Sequence, residues 1–217
     1  MCYSAQASFI AAGYLLLAGL WNVKKNKIRS AQVFAAMPLI FAAQQLIEGV
    51  IWLHITHNFS FIDIYAPYLY LFCAFFIWPI FIPVSILLLE ENQNRKNYIK
   101  MCVFLGIFVS INLYAYVIAG GAYAELLSCH IYYDLQIPYL TRIFLTILYL
   151  CATVIPFLIS TIKQMPLFGL LLLASYIFSF HYYYMHILST WCFFAALLSG
   201  CVCIIITQLN KPKTAQF

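Results

Sequence analysis

Residues 44–52 read QQLIEGVIW. Gln44, Glu48 and Trp52 recur at i, i+4 and i+8, so on a helix they stack along one face, with Gln45 beside them. Glu48 is the only acidic residue inside any apolar run of the chain. A carboxylate is expensive in hydrocarbon, so within a membrane span it faces the bundle interior and marks a functional-site candidate.

The rest of the chain supplies that hydrocarbon setting. Of 217 residues, 65% are hydrophobic and 8% charged, against about a quarter charged in a soluble domain. A mean hydropathy of +0.94 agrees. The reading is an all-α, polytopic integral membrane protein, one domain over residues 1–217, with seven transmembrane helices near the roughly 20 residues a span needs. They are expected at about 5–22, 31–54, 64–89, 98–119, 138–162, 165–182 and 186–208. Pro79 and Pro83 should kink the third, and Pro156 lies near the end of the fifth.

Charge sets the expected orientation. Lys24, Lys25, Lys27, Arg29, Arg95, Lys96, Lys100, Lys163, Lys211 and Lys213 all fall on one side, leaving Arg142 alone on the other. Cytoplasmic loops collect Lys and Arg, so the N-terminus is expected outside and the C-terminus in the cytoplasm. The same rule accounts for the net charge of +5 without invoking nucleic acid. The basic cluster follows the first apolar run instead of preceding it, which predicts a retained first helix and no cleaved signal peptide. Cys73, Cys102, Cys151, Cys192, Cys201 and Cys203 sit in apolar runs, where cysteine behaves as a small hydrophobe. Cys2 and Cys129 do not.

All five histidines (His54, His57, His130, His181 and His186) are expected at the non-cytoplasmic face, with Cys2, Cys129, Asp63, Glu125 and Asp134. Glu48 lies six residues, roughly 9 Å at the helical rise, below His54. Cys192 sits six residues below His186. A polar vestibule opening outward is the geometric expectation. The many tyrosines on that side read as an interfacial belt.

Four blocks carry a resemblance. They are the opening MCYSAQASF (1–9), QQLIEGVIW (44–52), FFIWPIFIP (75–83) and STWCFFAALLS (189–199). Their order resembles a family of small bacterial seven-span integral membrane proteins of unknown function, opening Met-Cys-x-Ser-x-x-Ala-Ser-Phe. Tyr133-Asp134 is a weaker match. There this chain reads CHIYYD, with Cys129 where the family pattern places a histidine. The resemblance implies the cytoplasmic membrane of a bacterium and no particular activity. It singles out Cys2, Ser4, Gln45, Glu48, Trp52, Trp78, Trp191 and Cys192.

Several chemistries fit these residues. Glu48 could relay a proton, act as an acid or base, or bind a cation; alternatively it is a protonated acid holding helices together. Cys2 could ligate a metal, act as a nucleophile with His186 as its basic neighbour, or pair with Cys129, which a non-cytoplasmic position permits. His186 and Ser189 share a face at i, i+3, and Cys192 follows one step on. Cys2, Glu48, His186 and Cys192 form a chemically sensible metal set, although no local ligand signature joins them. A hydrolase triad lacks a nucleophile-elbow sequence. No span holds the lysine a retinal Schiff base needs. No CxxCH marks covalent haem, which leaves haem held by two outer-face histidines as an alternative, and the cofactor stays unknown. The leading expectation is a small-ligand or proton site in an outward-facing pocket formed by Ser4, Gln44, Gln45, Glu48, Trp52, His186, Ser189, Trp191 and Cys192. Few polar groups fall in the cytoplasmic half of the spans, chiefly Asn112 and Ser85, which favours one-sided binding over alternating access. The alternatives are an outer-face enzyme or redox/metal protein using Cys2, His186 and Cys192, and an accessory membrane subunit in which polar groups only hold the bundle.

Overall fold

The computed structural model describes residues 4–57, 65–127 and 129–211. Among the described residues are seven helices long and apolar enough to cross a bilayer: α1 (Ala5–Lys25), α2 (Arg29–His57), α3 (Tyr65–Leu89), α4 (Gln93–Gly120), α5 (Tyr139–Ile159), α6 (Met165–Tyr182) and α7 (Tyr184–Leu209). The expected spans are all present. The largest boundary difference is at α4, which starts five residues early. Asn92 caps it by accepting from the Arg95 N–H at 3.1 Å, and this lets polar residues continue the helix beyond the apolar run.

Local chemistry explains the other ends and irregularities. Ser4 caps α1, its hydroxyl accepting from the Ala7 N–H at 3.3 Å. Lys24 and Lys25 occupy the last turn of α1, where cations complement the exposed carbonyls. Asn26 then shapes the turn into α2, donating to the Ile28 carbonyl and to Gln32 Oε1, both at 2.8 Å.

In α3, residues Phe72–Ile77 form a π-helical stretch. The Trp78 N–H bonds the Cys73 carbonyl five residues back. The next bond in that series would run from residue 79 to Ala74, but Pro79 has no N–H. The Tyr149 hydroxyl of α5 donates to the Ala74 carbonyl instead, at 2.8 Å. One residue type thus breaks the ladder and a distant one mends it. Beside it, Ser110 of α4 donates to the Phe76 carbonyl at 3.0 Å. Pro83 in turn leaves the Pro79 carbonyl without its usual donor, and α4 closes on that carbonyl at Gly106. A Cβ at position 106 would collide with Pro79 O, so only glycine permits this approach.

One element departs from the all-α expectation. Tyr123–Leu127 (β1) and His130–Asp134 (β2) form an antiparallel hairpin between α4 and α5. Gly121, at φ 87°, turns the chain out of α4. Cys129 holds a φ of 66° in the hairpin turn, a region that costs a side-chain-bearing residue about 1–2 kcal/mol. β1 is largely exposed, whereas β2 buries His130, Ile131 and Tyr133. Tyr133 stacks on Tyr70 of α3 with ring centroids 4.8 Å apart and 3° between planes. The hairpin therefore covers one end of the bundle.

The opposite end is tied by side chains. Asn210 accepts from the Lys27 N–H at 3.1 Å and donates to the Lys25 carbonyl at 3.0 Å. Glu90, after α3, joins the loop that connects α5 and α6. It accepts from the Thr161 N–H at 2.8 Å, the Thr161 hydroxyl at 2.7 Å and the Asn92 N–H at 3.0 Å. Burial pushes the Glu90 carboxyl up, but the hydrogen bonds from Thr161, Asn92 and Ser160 outweigh it and hold the group below its ordinary value.

Candidate functional site

Glu48 sits about two-thirds of the way along α2 and is 2% exposed. It points into the bundle, as its place on the Gln44–Trp52 face predicts. The Ser189 hydroxyl of α7 donates to Glu48 Oε1, and Gln45 Nε2 donates to Oε2 at 3.1 Å. Gln44 turns toward α3, where its Oε1 accepts from Trp78 Nε1 at 2.6 Å. Trp78 itself stacks on Phe41 with centroids 3.8 Å apart. Three adjacent polar side chains of one helix thus reach different partners, and α2, α3 and α7 meet around the carboxyl.

α7 supplies the second wall. Cys192, buried one turn beyond Ser189, lies beside Gln44, Tyr70 and Glu48. Tyr70 donates to the Leu188 carbonyl at 3.2 Å. His186 stacks on His130 of the hairpin at 5.1 Å between centroids and reaches the Ile131 backbone. Trp191 packs edge-on against Tyr149 and Tyr176.

Hydrogen bonding around Glu48 is incomplete. Gln44 Nε2, Gln45 Oε1, Trp52 Nε1, Tyr133 Oη and His186 Nδ1 are buried without a hydrogen-bond partner among the described residues, as is Trp191 Nε1 on the side of α7 that meets α5 and α6. Each such atom costs about 1–3 kcal/mol when nothing satisfies it. They come from α2, α7 and the hairpin, and they mix donors with acceptors. Toward the Glu90 end lies a cavity of about 20 Å³ lined by Phe41, Trp78, Tyr149, Phe157, Trp191 and Cys192 among others. That is room for one water-sized molecule.

The expected site residues distribute as follows. Gln44, Gln45, Glu48, Ser189 and Cys192 come together at the seam of α2, α3 and α7. Trp52, His186 and Trp191 flank it. Ser4 is exposed and serves as the α1 cap. Cys2 and Asp63 lie outside the described residues, and with Cys2 goes its pairing with Cys129. Among the described residues no three His, Cys, Asp or Glu side chains gather closely enough to hold a metal ion. The sequence predicts an open vestibule over Glu48, whereas the structure shows a closed seam beneath the hairpin. Tyr70 and Tyr133 belong to this seam, and the sequence reading placed them only in an interfacial belt. Their position depends on the hairpin, which gives no strong local signal.

Residues 1–216, all but the last of the chain, match the family model described as "Family of unknown function (DUF6629)". The chain belongs to this family. No curated protein and no solved structure matches it. Family membership therefore carries no assigned chemistry, and the geometry of the Glu48 seam is what a functional reading rests on.

Proposed function

We propose that this is a multi-pass membrane protein in which Glu48 exchanges a proton or binds a small polar ligand at the seam of α2, α3 and α7. The single observation that supports it is an inaccessible carboxyl held, among the described residues, by a hydroxyl and an amide, with unpartnered polar atoms of Gln44, Gln45 and Tyr133 nearby. Neither contact on Glu48 is a cation, so holding a proton is the inexpensive way for this acid to reside in hydrocarbon. Water or a ligand with both donors and acceptors would complete the surrounding groups. In the orientation read from the basic loops, the hairpin lies on the non-cytoplasmic side and covers the entrance, and the basic turns face the cytoplasm. Ligand entry then requires the hairpin to move, with Tyr133 leaving Tyr70 and His130 leaving His186.

Infrared spectroscopy of the protein in bilayers tests this reading. A protonated carboxylic acid band is expected that responds to pH, disappears in Glu48→Gln and shifts in Ser189→Ala. A wild-type spectrum with no such band, or one unaltered by Glu48→Gln, would remove the basis for the proposal.

A further inference from the structure

A second feature lies on the outer wall of the bundle, away from Glu48. α1 and α7 flank a groove of about 500 Å³. Leu17, Ala18 and Trp21 line it from α1, and Leu197, Cys201 and Ile204 from α7. Leu17, Trp21, Leu197 and Ile204 are all exposed. Along the groove α7 breaks at Gly200–Cys201 between two helical segments. At that break a Cβ on Gly200 would collide with the Tyr14 hydroxyl. Glycine leaves room for that hydroxyl, and both residues line the groove.

Both walls end in positive charge. On α1, Lys24 and Lys25 lie three and four residues after Trp21, so they extend the same helical face. After α7, Lys211 follows two residues beyond the last helical residue, Leu209. The hydrogen bonds of Asn210 to Lys25 and Lys27 bring these two ends together. An apolar trough thus leads to three exposed lysines at one level. All three are exposed, and no acidic residue lies in either segment, 14–27 or 197–211.

We propose that this groove is a binding site for an anionic phospholipid. One acyl chain lies between α1 and α7 against Trp21, and the phosphate sits among Lys24, Lys25 and Lys211. The inference goes beyond the Glu48 reading and rests only on its membrane-spanning part. An apolar trough alone would accept any lipid chain. The lysines select the headgroup, because each adds attraction for anionic lipid near the surface.

Tryptophan quenching by brominated lipid tests it. The intact protein is reconstituted in phosphatidylcholine vesicles containing either brominated phosphatidylglycerol or brominated phosphatidylcholine. The Trp21 signal is the difference between wild type and Trp21→Phe. Expected is stronger quenching of Trp21 by the anionic lipid, with the preference falling about fivefold per lysine removed in Lys24→Gln, Lys25→Gln and Lys211→Gln. A second variant, Ala18→Leu, fills the trough and should lower quenching by the anionic lipid with the lysines intact. Equal quenching of Trp21 by the two lipids would overturn the site while leaving the membrane reading in place. No quenching of Trp21 by either would overturn both.

Discussion

Glu48 and Glu90 are almost equally inaccessible, at 2% and 1% exposed, yet their surroundings differ in kind. Glu90 lies just past a helix end and draws on two backbone N–H groups and a hydroxyl. These donors are made available by the chain leaving its helices, and they favour the ionised form. Glu48 lies within a helix whose own backbone is already paired. Its donors are two side chains, and its neighbourhood keeps unpaired polar atoms. The difference teaches that burial alone does not mark a working acid. A carboxyl with saturated backbone partners joins loops; in the function proposed above, one left among incomplete partners changes its protonation or takes a guest.

Several measurements break or sharpen this contrast. The largest effect is expected from Glu90→Ala, which strands the Thr161 and Asn92 N–H groups. Unfolding in mixed detergent should show a loss of about 2 kcal/mol; a neutral result would mean that the loop donors find water at no cost. Acid comes next. The folded Glu90 carboxyl lies below its ordinary value of 4.5, so its stabilisation is fully present above that value and fades as pH falls through the lower, folded one. The stability gap between wild type and Glu90→Ala should therefore narrow below pH 4.5. A gap constant down to strong acid would contradict the ionised assignment.

Tyr149→Phe is an intermediate case, a saturated contact deep in the bundle. It leaves the Ala74 carbonyl without a donor and should cost about 1 kcal/mol in the same unfolding measurement. Glu48→Gln should cost least, near the 0.6 kcal/mol average of interhelical hydrogen bonds in membranes, while it abolishes the pH-dependent infrared band. If Glu48→Gln destabilises the protein as much as Glu90→Ala does, the two acids are alike and the contrast fails.

These residues also show what a sequence discloses. The seven helices were legible because each apolar run is long and the basic turns punctuate them. The inward direction of Glu48 followed from the i, i+4, i+8 spacing with Gln44 and Trp52. The hairpin was not legible: β1 reads YAELL, is exposed at four of its five positions, and lacks alternation, while the turn holds Cys129 where asparagine or glycine would signal it. Glu90 was passed over because Glu91 and Asn92 follow it, so that it reads as the start of a solvated loop. Its partner Thr161 is 71 positions away, and no local pattern announces such a pair. The seam around Glu48 was half visible for the same reason. Its helix-borne members were named, and those fixed by the hairpin or by the path of α3 were not.

The π-helical stretch of α3 has a consequence for the phase of that helix. A turn holding an extra residue offsets everything before it from everything after it. Tyr70 can therefore face the hairpin while Trp78 faces Gln44 and the Pro79 carbonyl faces α4. Deleting one residue within 72–77 would relax the turn to ordinary pitch and swing the Tyr65–Leu71 segment by about 100°. The aromatic clasp on Tyr133 would then open with no change to any residue that forms it.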